Sequence, residues 1–422
     1  MPTITENVLD TTSVVKYTKM ANEFILKNNL DNNQEILESL LMPQREITVE
    51  IPIRLDNGKF KTFTGFRVQH NDARGPYKGG LRFHPSVTLS EARILAHLMS
   101  LKTSLANIPF GGGKGGIACN PKELSLRELE YLTRNFTNLI ADNIGPLKDI
   151  PAPDVNTTSQ IMAWIVDEYS RSRGKHYGVV TGKPIELGGS LGRDEATGRG
   201  VMIAVRQICK AKNVDLSKSK VVFQGFGNLA YFGSKLIESE LKAKVVGVST
   251  SMGAIYNKNG LDLDKAYEYY QKHKNLDGYK DCEKMTNAQL LESDCDILIP
   301  SALENAITID NAANIKAKIL VEGDNDCTTS EADEILNDKG ITVIPDILAN
   351  AGGVIVSYFE WVQNLNNYYW DLSMVRESLD KKLVASFNDV LELANKYNIS
   401  LRKSAYVVAI QRIARATLLR GV

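Results

Sequence analysis

Three lysines stand where lysine is chemically unusual. Lys78 lies in Gly75-Pro76-Tyr77-Lys78-Gly79-Gly80-Leu81-Arg82-Phe83, and Lys114 in Gly111-Gly112-Gly113-Lys114-Gly115-Gly116. Flanking glycines remove side-chain screens and let an ammonium group approach a small ligand. Neither segment is a P-loop, since Lys114 does not sit between a G-x-x-x-x-G and a Ser or Thr, so no phosphate cradle is indicated. Lys102 interrupts an apolar helical stripe of Leu95, Leu98, Met99 and Leu105. Taken singly, each has a plain explanation: a solvated lysine in a flexible turn, or a lysine snorkelling at the edge of a stripe. Taken together they point to carboxylate binding. Clustered ammonium groups attract anions, and repulsion plus desolvation lowers the pKa of an unpaired one until it can act as a general base. Lys114 is the candidate base. Asp154, in the proline-stiffened Ile150-Pro151-Ala152-Pro153-Asp154-Val155-Asn156-Thr157, precedes a helical pattern and reads equally as a chemical group or as an N-cap or Asx-turn residue.

A second constellation is Val221-Val222-Phe223-Gln224-Gly225-Phe226-Gly227-Asn228-Leu229-Ala230, a strand running into G-x-G-x-x-A at a helix start. Glycines there let backbone approach a pyrophosphate, and the helix N-terminus supplies amides and partial positive charge. A tight strand-to-helix turn also favours glycine, but flanking strand–helix alternation supports the dinucleotide reading. The acid expected about 20 residues on, at the ribose, is missing. The next strand ends Val248-Ser249-Thr250-Ser251-Met252-Gly253, whose small hydroxyl residues would not repel a 2′-phosphate and so lean toward NADP, but no obvious nearby Arg supplies the positive charge, so NAD and NADP both remain open.

The elements that must position these groups follow from periodicity. Two amphipathic helices ending near Pro43 open the chain, and a hairpin of Ile47–Ile53 with Phe60–Val68 turns at Asp56-Asn57-Gly58. Thr88–Glu91 and Ser125–Glu128 read as capping boxes. From residue 219, short β-branched runs (Lys220–Phe223, Lys244–Val248, Asp296–Ile299, Lys318–Val321, Thr342–Ile344) alternate with helices, which implies a parallel sheet. Three apolar-periodic segments near 351–364, 374–396 and 401–418 close the chain. A domain boundary falls in the glycine-rich stretch Thr181–Gly200.

The 422 residues suffice for two to three domains, and 43% hydrophobic with 24% charged residues excludes disorder and low complexity. Fifty basic residues cancel fifty acidic ones, so nothing rewards nucleic acid or an anionic membrane. Five widely spaced cysteines without C-x-x-C indicate neither a disulfide framework nor a zinc site, and no metal is expected. Met1–Lys16 lacks an apolar leader segment, and no long apolar run follows, so the chain is expected to be cytoplasmic.

These segments, with Thr181-Gly182-Lys183-Pro184, Asp194-Glu195-Ala196-Thr197-Gly198-Arg199-Gly200 and Pro345–Gly353, resemble the family of glutamate, leucine, phenylalanine and valine dehydrogenases, and its glutamate-specific members in particular, from about residue 15 to the C-terminus. The resemblance implies an α/β fold: a substrate-binding and oligomerisation domain (1–185), a Rossmann-like doubly wound cofactor domain (186–365), and C-terminal helices (366–422) packing back on the first, with catalysis in the cleft. By motif position it implies that Lys102 meets the substrate α-carboxylate, and that Lys78 and Ser357 meet the distal one. It makes Lys114 the group activating water and Asp154 the proton relay. Thr197, Gly225, Gly227, Asn228, Thr250 and Asn325 would line the cofactor. The implied reaction is oxidative deamination of L-glutamate to 2-oxoglutarate and ammonium, reversibly, by a homohexamer using NAD or NADP.

The chain departs from the family where Val321-Glu322-Gly323-Asp324-Asn325-Asp326-Cys327-Thr328-Thr329 replaces a run with Gly-Ala-Asn-Gly-Pro, where Ser301 replaces alanine, and where Thr250 replaces aspartate. Asp324 and Asp326 are expected at the carboxyl edge of the sheet, either weakening dinucleotide binding or pointing outward. Two other readings stay open: a dehydrogenase for another amino acid, against which Lys78 argues, and a non-catalytic or cofactor-impaired paralogue serving as a regulatory subunit.

Overall fold

The computed structural model describes residues 12–30 and 33–421, so residues 1–11 of the Met1–Lys16 segment lie outside the described residues. The described chain forms two compact units. One takes the described residues of Met1–Arg193, Val354–Val375 and Ala409–Val422; the other takes Asp194–Gly353 and Arg376–Val408. The crossing after Arg193 falls inside the glycine-rich stretch, and the segment from 366 onward is shared between the units.

In the first unit, α1 (Ser13–Lys27) and α2 (Gln34–Ser39) precede the hairpin of β1 (Arg45–Arg54) and β2 (Phe60–Asn71), which pairs from Arg45–Gln69 to Arg54–Phe60 and turns at Gly58, φ +82°. Then come β3 (Tyr77–Phe83), α3 (Leu89–Leu105), β4 (Gly112–Ile117), α4 (Leu126–Ile140), β5 (Asp149–Pro153) and α5 (Ser159–Arg173). The sheet runs β1-β2-β4-β3-β5, with β3 parallel to both β4 and β5 and the β1/β2 and β2/β4 pairs antiparallel. Ile51, Phe63, Leu81, Phe83, Phe136 and Ile165 belong to its core.

The two glycine-lysine segments are therefore strands rather than turns, and every residue of β4 is buried. Their glycines serve close approach. A Cβ on Gly79 would stand 1.6 Å from the Gly113 carbonyl oxygen, and one on Gly112 would stand 2.2 Å from the Ser100 amide of α3. Helix α3 also differs from the expected single stripe. Ser100, Leu101, Thr103 and Ser104 are buried while Leu95 and Met99 are only partly so, because one side packs on β2 and β4 and another meets the C-terminal segment, where Ser104 Oγ donates to the Ala409 carbonyl at 2.7 Å. Of the two expected capping boxes, Ser125–Glu128 is complete. At the other, Thr88 Oγ1 accepts from Glu91 N at 3.2 Å, but the Glu91 carboxylate pairs with Arg82 instead of the Thr88 amide.

In the second unit, α6 (Ala196–Ala211), β6 (Lys220–Gln224), α7 (Asn228–Leu241), β7 (Lys244–Thr250), β8 (Gly253–Tyr256), α8 (Leu263–His273), β9 (Glu283–Met285), α9 (Asn287–Leu291), β10 (Ile297–Pro300), β11 (Ile319–Val321), α10 (Ser330–Asp338), β12 (Thr342–Ile344) and α11 (Asp346–Ala349) follow in order. The five expected strands form the parallel part of a sheet ordered β12-β11-β10-β6-β7-β8-β9. Periodicity missed the antiparallel extension β8 and β9, which are only four and three residues long. Strand order reverses between β6 and β10, the switch point at which open α/β sheets bind ligands outside the carboxyl ends. Helices α12 (Gly352–Asn366), α13 (Leu372–Tyr397) and α14 (Leu401–Leu419) close the chain where apolar periodicity placed them.

Candidate active site

In the first unit, β4, β3 and β5 lie side by side, with Lys114 on β4, Lys78 on β3 and Asp154 directly after β5, and they bring Lys114 and Asp154 into contact. Lys114 Nζ is ion-paired with Asp154 Oδ2, while Arg82 Nε donates to Asp154 Oδ1 at 3.0 Å. Arg82 is in turn held by Glu91, the carboxylate released from the helix cap. Gly80 leaves the room this needs, since a Cβ there would lie 2.6 Å from Asp154 Oδ2. Burial alone would raise the Asp154 pKa, but the Lys114 and Arg82 charges outweigh it and hold the carboxyl well below its ordinary range. The N-cap reading of Asp154 is corrected, since the helix begins at Ser159 with Thr158 as its N-cap; Asp154 Oδ1 accepts from the adjacent Val155 amide at 2.7 Å, while Oδ2 serves Lys114. The expectation that Lys114 is the unpaired member of the cluster is corrected by this pairing.

Lys78 is the lysine burdened by neighbouring cations. It is 1% exposed, and its Nζ donates to the Ile150 carbonyl at 3.2 Å. Burial first, and then the Arg67 and Arg193 charges, push its pKa well below the lysine value, with Glu360 and Asp149 opposing. Such an ammonium gains from any carboxylate brought to it. Lys102, in the last turn of α3, and Ser357, on α12, are both buried in this unit.

Sequence reasoning missed the groups that hold the lysines. Arg67 and Asp149 are fully buried and joined by two hydrogen bonds, Nε–Oδ2 at 2.8 Å and Nη2–Oδ1 at 2.5 Å, and Gln69 adds a third to Asp149 at 2.9 Å. Arg67 also reaches the Gly79 and Gly80 carbonyls at 3.2 and 3.3 Å, which fixes the strand carrying Lys78. Lys183 Nζ contacts Glu360 at 2.6 Å, Asn364 at 2.8 Å and the Val180 carbonyl at 2.7 Å, and Glu360 accepts the Gly182 amide at 2.8 Å. Thr181, whose amide donates to Pro151 O at 3.1 Å, has a buried hydroxyl with no hydrogen-bond partner among the described residues. No periodic pattern marks these residues, and only an unusual charge inside an apolar strand hinted at Arg67.

In the second unit, Gly225 and Gly227 have different tasks. Gly225 has φ +107°, and a Cβ there would stand 2.9 Å from Ala302 Cβ and 3.0 Å from Ser301 O, so it closes the turn. Gly227 has φ −76° and open space within 4 Å of its Cβ position, and it caps α7 without any side-chain capping bond. Free amides at an exposed helix N-terminus beside open space suit an anionic pyrophosphate. Asn228 is exposed at this end of α7, and Thr197 is half-buried in the first turn of α6. Ser249 Oγ, overlooked in the sequence, accepts the Gly225 amide at 2.9 Å. Thr250 is engaged in its own turn, with Oγ1 near Gly253 O and Met252 N, both at 3.3 Å. Asn325 Oδ1 accepts from Asn350 Nδ2 at 3.1 Å. Asp324 folds back on its loop, where Oδ1 accepts the Asn325 amide at 2.8 Å. Asp326 takes φ +49°, and its amide donates to Asp346 at 3.0 Å.

Among the described residues, no group of three or more His, Cys, Asp or Glu is arranged to hold a metal, and no helix is long and apolar enough to cross a membrane. Residues 43–171 match the dimerisation-domain model of the Glu/Leu/Phe/Val dehydrogenases, and residues 188–421 match the Glutamate/Leucine/Phenylalanine/Valine dehydrogenase model. A glutamate dehydrogenase of Thermotoga maritima is 52% identical over 394 residues, 93% of this chain and 95% of that protein. A NAD-specific glutamate dehydrogenase of Staphylococcus aureus is 49% identical over 380 residues, 90% of this chain and 91% of that one. The hetero-hexameric glutamate dehydrogenase of Thermus thermophilus superposes with a TM-score of 0.91 at 37% identity, covering 97% and 96% of the two chains. Two matched models that together span most of the sequence, on a fold that sets buried lysines in one unit and a glycine-rich strand-to-helix turn in the other, make this chain a member of the Glu/Leu/Phe/Val dehydrogenase family.

Proposed function

We propose that the protein is a glutamate dehydrogenase that deaminates L-glutamate to 2-oxoglutarate and ammonium, and runs in reverse, with NAD as the favoured dinucleotide. The observation that carries the chemistry is the Lys114–Asp154 pair, an ammonium and a carboxylate held in contact by Arg82 beside a strand stripped of side chains. Lys78 supports a dicarboxylate. A buried cation pressed by Arg67 and Arg193 suits a second carboxylate, whereas an apolar substrate side chain would leave it unpaired.

In this reading the first unit binds substrate and the second binds the dinucleotide. Lys102 holds the α-carboxylate, and Lys78 and Ser357 hold the distal one. Asp154 takes a proton from the substrate amino group. When bound, NAD supplies the acceptor for the hydride leaving the α-carbon. Lys114 then directs water onto the resulting iminium carbon, the water oxygen gives up its protons to solvent, and Asp154 returns its proton to the nitrogen as the C–N bond breaks and ammonia departs. Gly227, Asn228 and the α7 N-terminus face the pyrophosphate, and Thr197, Gly225, Thr250 and Asn325 complete the cofactor site. No metal enters these steps, and the reading places the enzyme in the cytoplasm.

The assembly proposed is a homohexamer. Exposed Phe60, Leu126 and Leu147, all within the segment matched as a dimerisation domain, offer the apolar surface for it. Sedimentation equilibrium of the purified chain alone should give six chain masses, and a monomer would reject the assembly. Turnover of glutamate, leucine, valine and phenylalanine with NAD and with NADP, followed by formation of the reduced nicotinamide, tests the activity. Glutamate with NAD should give the highest kcat/KM. Preference for a monocarboxylic amino acid would reject the substrate, and no turnover of any would favour a regulatory subunit.

A further inference from the structure

The β7 end offers no acid for the adenosine ribose, and its hydroxyls are already committed. Ser249 Oγ accepts the Gly225 amide at 2.9 Å, and Thr250 Oγ1 closes the turn with Met252 N and Gly253 O at 3.3 Å each. A carboxylate nevertheless stands over this turn. Gly253, which pairs with Thr250, has φ +155°, and the nearest atoms to its Cβ position are Met285 O at 3.5 Å and Asp277 Oδ1 at 3.9 Å.

Asp277 belongs to the loop between α8 and β9, and that loop is pinned. Leu276 is buried, Tyr279 N donates to Leu276 O at 3.1 Å, and Lys284 Nζ donates to both the Leu276 and Tyr279 carbonyls, at 2.6 and 2.7 Å. The Asp277 amide is fixed on Asn275 Oδ1 at 3.2 Å. Its exposed side-chain carboxylate accepts no hydrogen bond and joins no ion pair among the described residues. Lys284, a nearby cation, is turned onto loop carbonyls.

We propose that Asp277 is the residue that discriminates NAD from NADP, supplying from the α8–β9 loop the carboxylate absent from the end of β7. A carboxylate there accepts hydrogen bonds from the ribose 2′- and 3′-hydroxyls and repels a 2′-phosphate. The loop acid takes over the usual selection because it reaches the same turn from the neighbouring antiparallel extension, an addition that brings β9 and its preceding loop alongside β7 through β8.

The inference rests on the dinucleotide-dependent activity proposed above, and its test separates the two. Dissociation constants for NADH and NADPH are measured by nucleotide fluorescence on the intact enzyme, for wild type, Asp277→Asn and Asp277→Lys, with melting temperatures recorded in parallel. Wild type should bind NADH more tightly. Asp277→Asn should shrink the NADH:NADPH preference by about 10- to 100-fold, the range for losing hydrogen bonds to a charged group. Asp277→Lys should reverse it, with melting temperatures unchanged. A wild type that binds NADH and deaminates glutamate, but whose preference is the same in both variants, would overturn the role of Asp277 alone. A wild type that binds neither nucleotide would overturn the activity and this role together.

Discussion

At the scale of single residues, the site consists of charges whose neighbours differ. Asp154 faces two cations and stays ionised, while Lys78 faces two cations and is pressed to give up its proton. Lys114→Ala should lower kcat by at least about 100-fold, the lower range for a general acid–base group, with melting temperature nearly kept because Arg82 still pairs with Asp154. Stopped-flow and steady-state rates would show it, and a change confined to KM would contradict it. For Lys78 the sign follows from its lowered pKa. A bound distal carboxylate favours the charged form, so 2-oxoglutarate binding should take up protons, and affinity should weaken as pH rises past the pKa of the free enzyme. Calorimetry in buffers of different ionisation enthalpy, between about pH 6 and 9, measures this. An enthalpy independent of buffer, or the same uptake in Lys78→Leu, would remove Lys78 from distal-carboxylate recognition.

At the scale of elements, legibility depended on whether a segment's role was local. The hairpin, the parallel strands and the last three helices repeat with a period, and their residues could be read in place. β8 and β9 are too short for a period, and the Gly79–Gly80 and Gly111–Gly116 strands look like turns until their neighbours are known. Glu91 had the spacing of a cap but joined Arg82, because a charge partner outweighs one backbone amide. Of the candidate site, the lysines and the aspartate could be picked out, whereas Arg67, Asp149 and Glu360 could not, since pairs 82 and 177 positions apart leave no local trace. The strand-to-helix turn gives a paired prediction. Gly225→Ala should lower the melting temperature, because its φ of +107° and the Ala302 contact leave no room. Gly227→Ala should leave stability unchanged, since its Cβ position meets nothing within 4 Å, and, on the proposed cofactor site, should weaken NADH binding by about 10-fold or more. Equal loss of stability in both would show that the second glycine has a structural task as well.

At the scale of the whole molecule, stability carries a pH signature set by two buried histidines in the first unit. His70 and His97 stack at 4.6 Å, with His70 Nδ1 on Ser100 Oγ at 2.8 Å and His97 Nε2 on Thr18 Oγ1 at 3.2 Å. Burial lowers the His97 pKa to about 4, and burial together with His97 lowers that of His70 well below its ordinary 6.5. The unfolded chain accepts these protons near 6.5 and the fold refuses them, so stability is complete above 6.5 and declines as pH falls towards 4. His97 alone accounts for about 3 kcal/mol over that window, at 1.4 kcal/mol per pKa unit. Thermal unfolding at a series of pH values should be less pH-dependent in His97→Asn than in wild type. Parallel curves would mean that the carboxylates, not this pair, set the acid limit.

The glycine strands also constrain how the gene can drift. A Cβ at Gly79, Gly111, Gly112 or Gly116 would fall 1.6 to 2.2 Å from backbone atoms, which no change of rotamer relieves, whereas one at Gly227, with φ −76°, meets nothing within 4 Å. In a population of random single-codon variants, those four positions should come back from selection almost blank. If the lysines hold the substrate as proposed, inherited variation in its preference is thereby channelled to the side chains around them, because the floor on which they stand accepts no replacement.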